Sequence, residues 1–180
     1  MSKFAIFTLF ILFFAVSGSV YAQNVQTKTS VLVASLDKTK YKKKEKKNIS
    51  IEVYVNIKNE AAPKANIAEY AGVYEAENDY RLELRVSADG RVEGSGYDGN
   101  FNSSRKQNFT LKNARIEGAL LTATKVYDDG TTTEFEAVFV NRTVETGKNP
   151  DNVENRETKF GLGFIQTGGE WMNRVFLELK

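Results

Sequence analysis

From Tyr70 to Lys180 the chain alternates apolar and polar residues with a period of two, and this pattern constrains the fold more than any other feature. "YRLELRVS" sets Leu82, Leu84 and Val86 against Arg81, Glu83 and Arg85. Successive side chains of a strand point to opposite faces, so such a run reads as a strand with one face buried. "ADG" then turns the chain and "RVEGSGYD" alternates again, with Gly90 supplying the positive φ of a hairpin turn. "DDG" repeats the device between "ALLTATKVY" and "TTTEFEAVFVN", where Phe135, Ala137 and Phe139 oppose Glu134, Glu136 and Val138. "KFGLGFIQ" sets Phe160, Leu162 and Phe164 against Gly161 and Gly163, and "EWMNRVFLELK" makes a last strand. "GNFNSSRKQ" and the polar stretch 144–158 with Pro150 read as loops, and no 3.6-residue period marks a helix after residue 22.

About eight short strands in sequence order predict an all-β antiparallel meander, and closure into a small eight-stranded up-and-down β-barrel removes its exposed edges. A two-sheet sandwich fits the same signals and stays open. The barrel is assigned to residues 68–180. A basic N-terminal β segment and linker, residues 23–67, precedes it, with "VLVASL" and "NISIEVYVNI" as strands and "KNEAAPKAN" as the link. Residues 1–22 have the layout of a signal peptide: Lys3, an apolar run over 4–16, then Val20 and Ala22 ahead of Gln23. The run falls short of the ~20 residues of a spanning helix, so the mature chain is expected to be exported, periplasmic or extracellular, and not membrane-spanning.

Composition narrows the chemistry. The chain has no cysteine, which favours a bacterial exported protein over a disulfide-stapled one, and it has no histidine. These absences also remove Ser-His-Asp and Cys-His catalysis and His-ligated zinc. Glu134 and Glu136 lie two apart on one strand, at roughly the ~6.5–7 Å separation of same-side residues, as paired glycosidase carboxylates can. A solvated outer face explains them better. Asp128 and Asp129 are turn residues ahead of Gly130. "EGSGYDGN" lacks the helix and Lys-Ser/Thr of a phosphate loop. No catalytic residue, metal ligand or cofactor is therefore assigned, and a carboxylate-based hydrolase or isomerase is the minority alternative.

Charge is unevenly spread. Residues 23–67 hold ten lysines and four acids, whereas residues 68–180 hold fourteen basic and nineteen acidic residues. Seven of the ten residues 38–47 are lysine: Lys38, Lys40, Lys42, Lys43, Lys44, Lys46 and Lys47. They read as a solvated turn between two strands, or as a contact to an anionic surface through Lys42, Lys43, Lys44, Lys46 and Lys47. The stretch contains no arginine and one aromatic, so no nucleic-acid partner is expected. Tyr74, Phe135, Phe139, Phe160, Phe164 and Trp171 fall on strands, where they either line a cavity for a small hydrophobic ligand or fill a closed core.

Two local resemblances bear on these readings. Gly72-Val73-Tyr74 in "AGVYE" resembles the Gly-x-Trp signature that opens the lipocalin fold, and Arg174 on the last strand matches the arginine that covers that aromatic in lipocalins. The avidin family shares the same meander barrel. Residues 36–60 resemble the opening of bacterial immunoglobulin-like modules, with Tyr41, Glu45 and Asn59 matching and Lys44 in place of the glycine. The first resemblance implies a calyx-like barrel. Together the readings lead to an exported non-enzymatic binding protein for a small hydrophobic ligand or an envelope partner, with an envelope module touching anionic surface through residues 38–47 as the alternative.

Overall fold

The computed structural model describes residues 21–180 apart from 47–48, 77–79, 88, 101–102 and 169–170; residues 1–20 of the expected signal peptide therefore lie outside the described residues. Ten strands follow one another: β1 (Lys38–Lys46), β2 (Ile49–Ala61), β3 (Gly72–Ala76), β4 (Tyr80–Val86), β5 (Val92–Asn100), β6 (Ser103–Glu117), β7 (Leu120–Tyr127), β8 (Thr132–Asn149), β9 (Asn152–Gly168) and β10 (Trp171–Leu179). β3 to β10 pair antiparallel in sequence order, except that β10 lies between β9 and β3, and the β8–β9 pairing completes a closed eight-stranded barrel. The sandwich is thereby excluded.

The alternation read from the sequence sets the barrel's inside. Leu82, Leu84, Leu121, Ala123, Phe135, Ala137, Phe139, Leu162 and Phe164 are all buried. The turns expected at Gly90 and Gly130 are present, with φ of +85° and +83°. At the second, Asp129 accepts hydrogen bonds from the Thr131 N–H and hydroxyl at 2.9 and 2.6 Å, as a turn residue should.

Three expectations are corrected. The polar stretch 144–158 is not a loop but the extended tip of the β8–β9 hairpin, paired from Ala137 against Phe164 out to Asn149 against Asn152. The stretch "GNFNSSRKQ" is likewise mostly strand, ending β5 and starting β6. Both were read as loops because neither face there shows a run of alternating apolar residues, and backbone pairing does not need one. The third correction concerns "VLVASL", which belongs to a helix, α1, running from residue 21 to 36. Its inner stripe is Val25, Thr29, Leu32, Val33 and Leu36, a helical spacing that the hydroxyl-rich sequence conceals. Thr27, Thr29 and Ser30 turn their hydroxyls back to the carbonyls of Gln23, Val25 and Gln26, which satisfies these hydroxyls within the helix.

α1 lies across the outward face of β8 and β9. Lys28 pairs with Glu136, Arg174 Nε donates to the Ser35 carbonyl at 2.6 Å, and Leu36 is 1% exposed. Leu36 fills the space that a side chain at residue 163 would occupy: a Cβ on Gly163 would stand 2.4 Å from Leu36 Cδ1. This explains why Val138 and Val140, whose register turns them away from the barrel interior, are fully buried.

β1 and β2 extend the structure beyond the barrel. β8 is 18 residues long and gives its first part to β7 and its later part, Val140 to Gly147, to β2. The β1–β2 hairpin and the projecting β8–β9 hairpin thus form a four-stranded sheet in the order β1-β2-β8-β9. The segment 36–60 joins the barrel's own sheet through β2.

Candidate functional site: the lysine face of the appended sheet

β1 converts the lysine cluster from a turn into an edge strand, bonded to β2 on one side. Strand pairing overrides the weak β propensity of lysine. Lys47 lies outside the described residues, as do the side chains of Lys43, Lys44 and Lys46. The backbone register still sorts every position. Lys38, Lys40, Lys42, Lys44 and Lys46 are two apart and share one face, spread over about 26 Å at ~3.3 Å per residue.

Directly opposed residues of an antiparallel pair share a face. The lysine positions oppose Ile57, Val55, Val53, Ile51 and Ile49 in turn. The opposite face collects Thr39, Tyr41, Lys43 and Glu45 of β1 with Ser50, Glu52, Tyr54 and Asn56 of β2, and by the same alternation Glu60. Every acid of the hairpin therefore sits on the face away from the five lysine positions. That other face is tied together by a polar ladder: the Thr39 hydroxyl donates to Asn56 at 2.8 Å, Asn56 to Glu145 at 2.9 Å, and Arg156 to Glu145 at 2.6 Å. Tyr41 and Tyr54 meet there with ring centres 5.7 Å apart.

The lysine face has no such compensation. Lys28, Lys64, Lys125, Lys148, Lys159 and Lys180 each have a carboxylate partner. Among the described residues Lys38, Lys40 and Lys42 have no ion pair. Lys40 is half-buried beside Val55, and that desolvation, followed by repulsion from Lys42 and Lys38, lowers its pKa below the ordinary value. Lys38, Lys40 and Lys42 are thus ammonium groups without an ion pair, opposite Ile57, Val55 and Val53.

The aromatic residues occupy a different place. Tyr74, Phe135, Phe139 and Phe164 lie inside the barrel, with Phe135 and Phe164 edge-to-face at 5.2 Å and Tyr74 and Phe139 at 5.9 Å. Phe160 is half-buried near one end, parallel to Phe139 at 6.3 Å, while the side chain of Trp171 at the start of β10 lies outside the described residues. Tyr70, not anticipated from the sequence, stacks on Phe139 at 3.9 Å; its hydroxyl accepts from the Lys64 N–H and is within reach of the Ala62 and Gly118 carbonyls. Arg174 does not cover Tyr74. The β10 register turns it outward to Ser35, while Tyr74 is fully buried and its hydroxyl donates to the Tyr70 carbonyl.

Towards the other end of the barrel sits a charged pair that the sequence reading missed. Lys125 Nζ lies 2.8 Å from both oxygens of Asp98, and the Tyr127 hydroxyl donates to Asp98 at 2.7 Å. The same ammonium stands 4.2, 4.5 and 5.2 Å from the ring centres of Phe109, Phe135 and Phe164. Burial pulls the Lys125 pKa down against the opposing pull of Asp98, and burial with Asp98 pushes Tyr127 up. The available signal was register: Lys125 is in phase with Leu121 and Ala123, and Asp98 with Val92. Glu134 and Glu136, by contrast, are exposed, as a solvated outer face requires.

Compared with protein-family models, with curated proteins and with solved structures, the chain matches none.

Proposed function

We propose that this chain is an exported, non-enzymatic binding protein that docks on an anionic, phosphate-bearing envelope surface through the lysine face of β1. One observation carries the reading: the register sorts five lysine positions onto one face and all hairpin acids onto the other. A solvated turn would not need that sorting. The aliphatic row of β2 beside the lysines suits a surface that is anionic outside and apolar beneath. No helix among the described residues is long and apolar enough to cross a membrane. Cleavage after Ala22 would leave Val25, Leu32, Val33 and Leu36 to hold α1 on the barrel.

We prefer this reading to carriage of a small hydrophobic ligand in a lipocalin-like calyx, because the buried rings pack in pairs, Tyr74 on Phe139 and Phe135 on Phe164. We prefer it to carboxylate catalysis because the buried Asp98 is already bound by Lys125 and Tyr127. The test is flotation with phosphatidylglycerol vesicles, with phosphatidylcholine vesicles as control. Binding to the anionic vesicles alone, falling as salt rises, is the expected result. Equal retention after Lys38, Lys40, Lys42, Lys44 and Lys46 are all replaced by Gln would refute the reading.

A further inference from the structure

Where the appended sheet leaves the barrel wall, a cleft of about 660 Å³ opens between β3, β8, β9 and β10. Its charges do not cancel. Of its acids, Glu178 receives Lys159 at 2.9 Å and Lys180 at 3.7 Å, Glu157 lies 3.4 Å from Lys159, and Glu75 lies 3.4 Å from Arg81. Each carboxylate is thus engaged by a neighbouring cation. Two arginines are left over: Arg174, whose Nε donates to the Ser35 carbonyl, and Arg142.

The Arg142 guanidinium is held in place rather than trailing in solvent. Its Nε donates to Asn59 Oδ1 at 2.9 Å, and its central carbon lies 4.0 Å from the Phe176 ring centre. Asn59 is fixed in turn, because Asp37 accepts from its backbone N–H at 2.7 Å and its side-chain amide at 3.1 Å. Among the described residues no carboxylate lies within ion-pair distance of Arg142, and no protein acceptor is bonded to its terminal nitrogens. Burial lowers its pKa to about 10, with only the more distant Asp37 pulling the other way. A stacked, oriented guanidinium with its terminal N–H groups unused presents a fork that matches a planar or tetrahedral oxyanion. Ala76, Val144, Val175 and Phe176 supply apolar wall beside it.

We propose that this cleft is a binding site for a small amphiphilic oxyanion, a carboxylate or phosphate head on Arg142 with an apolar body against Val144 and Phe176. It lies on the same face of the appended sheet as the lysine positions, with Val144 opposite Ile57, but no β1 lysine lines it. Octanoate and inorganic phosphate, titrated in turn while the Arg142 side-chain N–H resonance is followed by NMR, distinguish the two head groups. Saturable shifts with either probe are expected, and octanoate stronger than acetate shows use of the apolar wall. Arg142→Lys keeps the charge but loses the fork, and should weaken binding at least tenfold.

Because Arg142 also bonds Asn59, Val144→Glu gives a second route. It places a carboxylate two residues along the same strand face, the arrangement in which Glu83 already pairs with Arg81 and Arg85. That internal carboxylate should occupy the fork and abolish binding in a folded protein. Non-saturating shifts, or unchanged affinity in Val144→Glu, would overturn the proposal. The five-lysine Gln variant should bind both probes as the parent does, so loss of vesicle docking and loss of this site are read independently.

Discussion

The barrel and the sheet appended to it are built from the same strands, yet they treat lysine in opposite ways. Inside the barrel one ammonium, Lys125, is wrapped by three aromatic rings and bonded to a buried carboxylate. On the appended sheet, Lys38, Lys40 and Lys42 stand in a row with no counter-charge among the described residues. Closure explains the difference. A closed barrel has no edge and little water, so a charge placed there must bring its partner. An open sheet has a solvated edge, where unpaired lysines cost little and discourage strand addition. The contrast teaches that charge is structural in one region and available in the other.

The sharpest way to break this comparison is to remove a counter-charge. Asp98→Ala leaves Lys125 buried and unpaired, and should lower stability by about 3–5 kcal/mol in urea denaturation. Adding Lys125→Met to it should recover much of that loss; a double variant no better than the single one would mean that the pair is not what stabilises this layer. Next in size is the seam between helix and barrel. Leu36→Ala should cost about 2–4 kcal/mol, with earlier proteolysis within residues 23–36 as α1 loosens. Stability like that of the parent would show that α1 adds nothing to the barrel.

Alkaline pH probes the interior again, with smaller effect. Burial raises the pKa of Tyr74 and Tyr127 above 10.0 and lowers that of Lys125 below 10.5. A raised tyrosine contributes stability that is complete below its unfolded pKa and is lost as pH climbs towards its folded one. A lowered lysine acts in the opposite sense, but only up to 10.5, where the unfolded chain also loses its proton. Arg142, lowered from 12.5 to about 10, opposes the tyrosines in this range. With two raised tyrosines against it, stability should still fall as pH rises above about 10.5, and Tyr127→Phe should flatten that slope. An unchanged slope would show that Tyr127 ionises freely. The smallest expected change in stability lies on the open sheet: Lys38, Lys40 and Lys42 replaced together by Gln should shift it by no more than about 0.5 kcal/mol, measured in the same urea series.

The two regions also differed in how much the sequence revealed. The barrel was legible because each strand presents one face to the core, so Leu82 and Leu84, or Leu162 and Phe164, mark the buried side. The appended sheet was not, because its β8–β9 part has polar residues on both faces and its cohesion is backbone pairing plus the Thr39–Asn56–Glu145–Arg156 ladder. The lysines of the candidate site were visible as residues but not as a face. That required the register of β1 on β2, which makes neighbours in sequence, such as Lys40 and Tyr41, point to opposite sides. Lys125 and Asp98 escaped notice for a related reason: a charged residue in an alternating strand is ordinarily read as belonging to the wet face.

The central claim is that geometry, not net charge, makes the lysine face a docking surface. Two triple variants of equal charge test it most directly in vesicle flotation: Lys38, Lys40 and Lys42 to Gln, against the exposed Lys58, Lys112 and Lys148 to Gln. The account predicts that the first loses retention on phosphatidylglycerol vesicles while the second keeps it. Equal loss in both would contradict it.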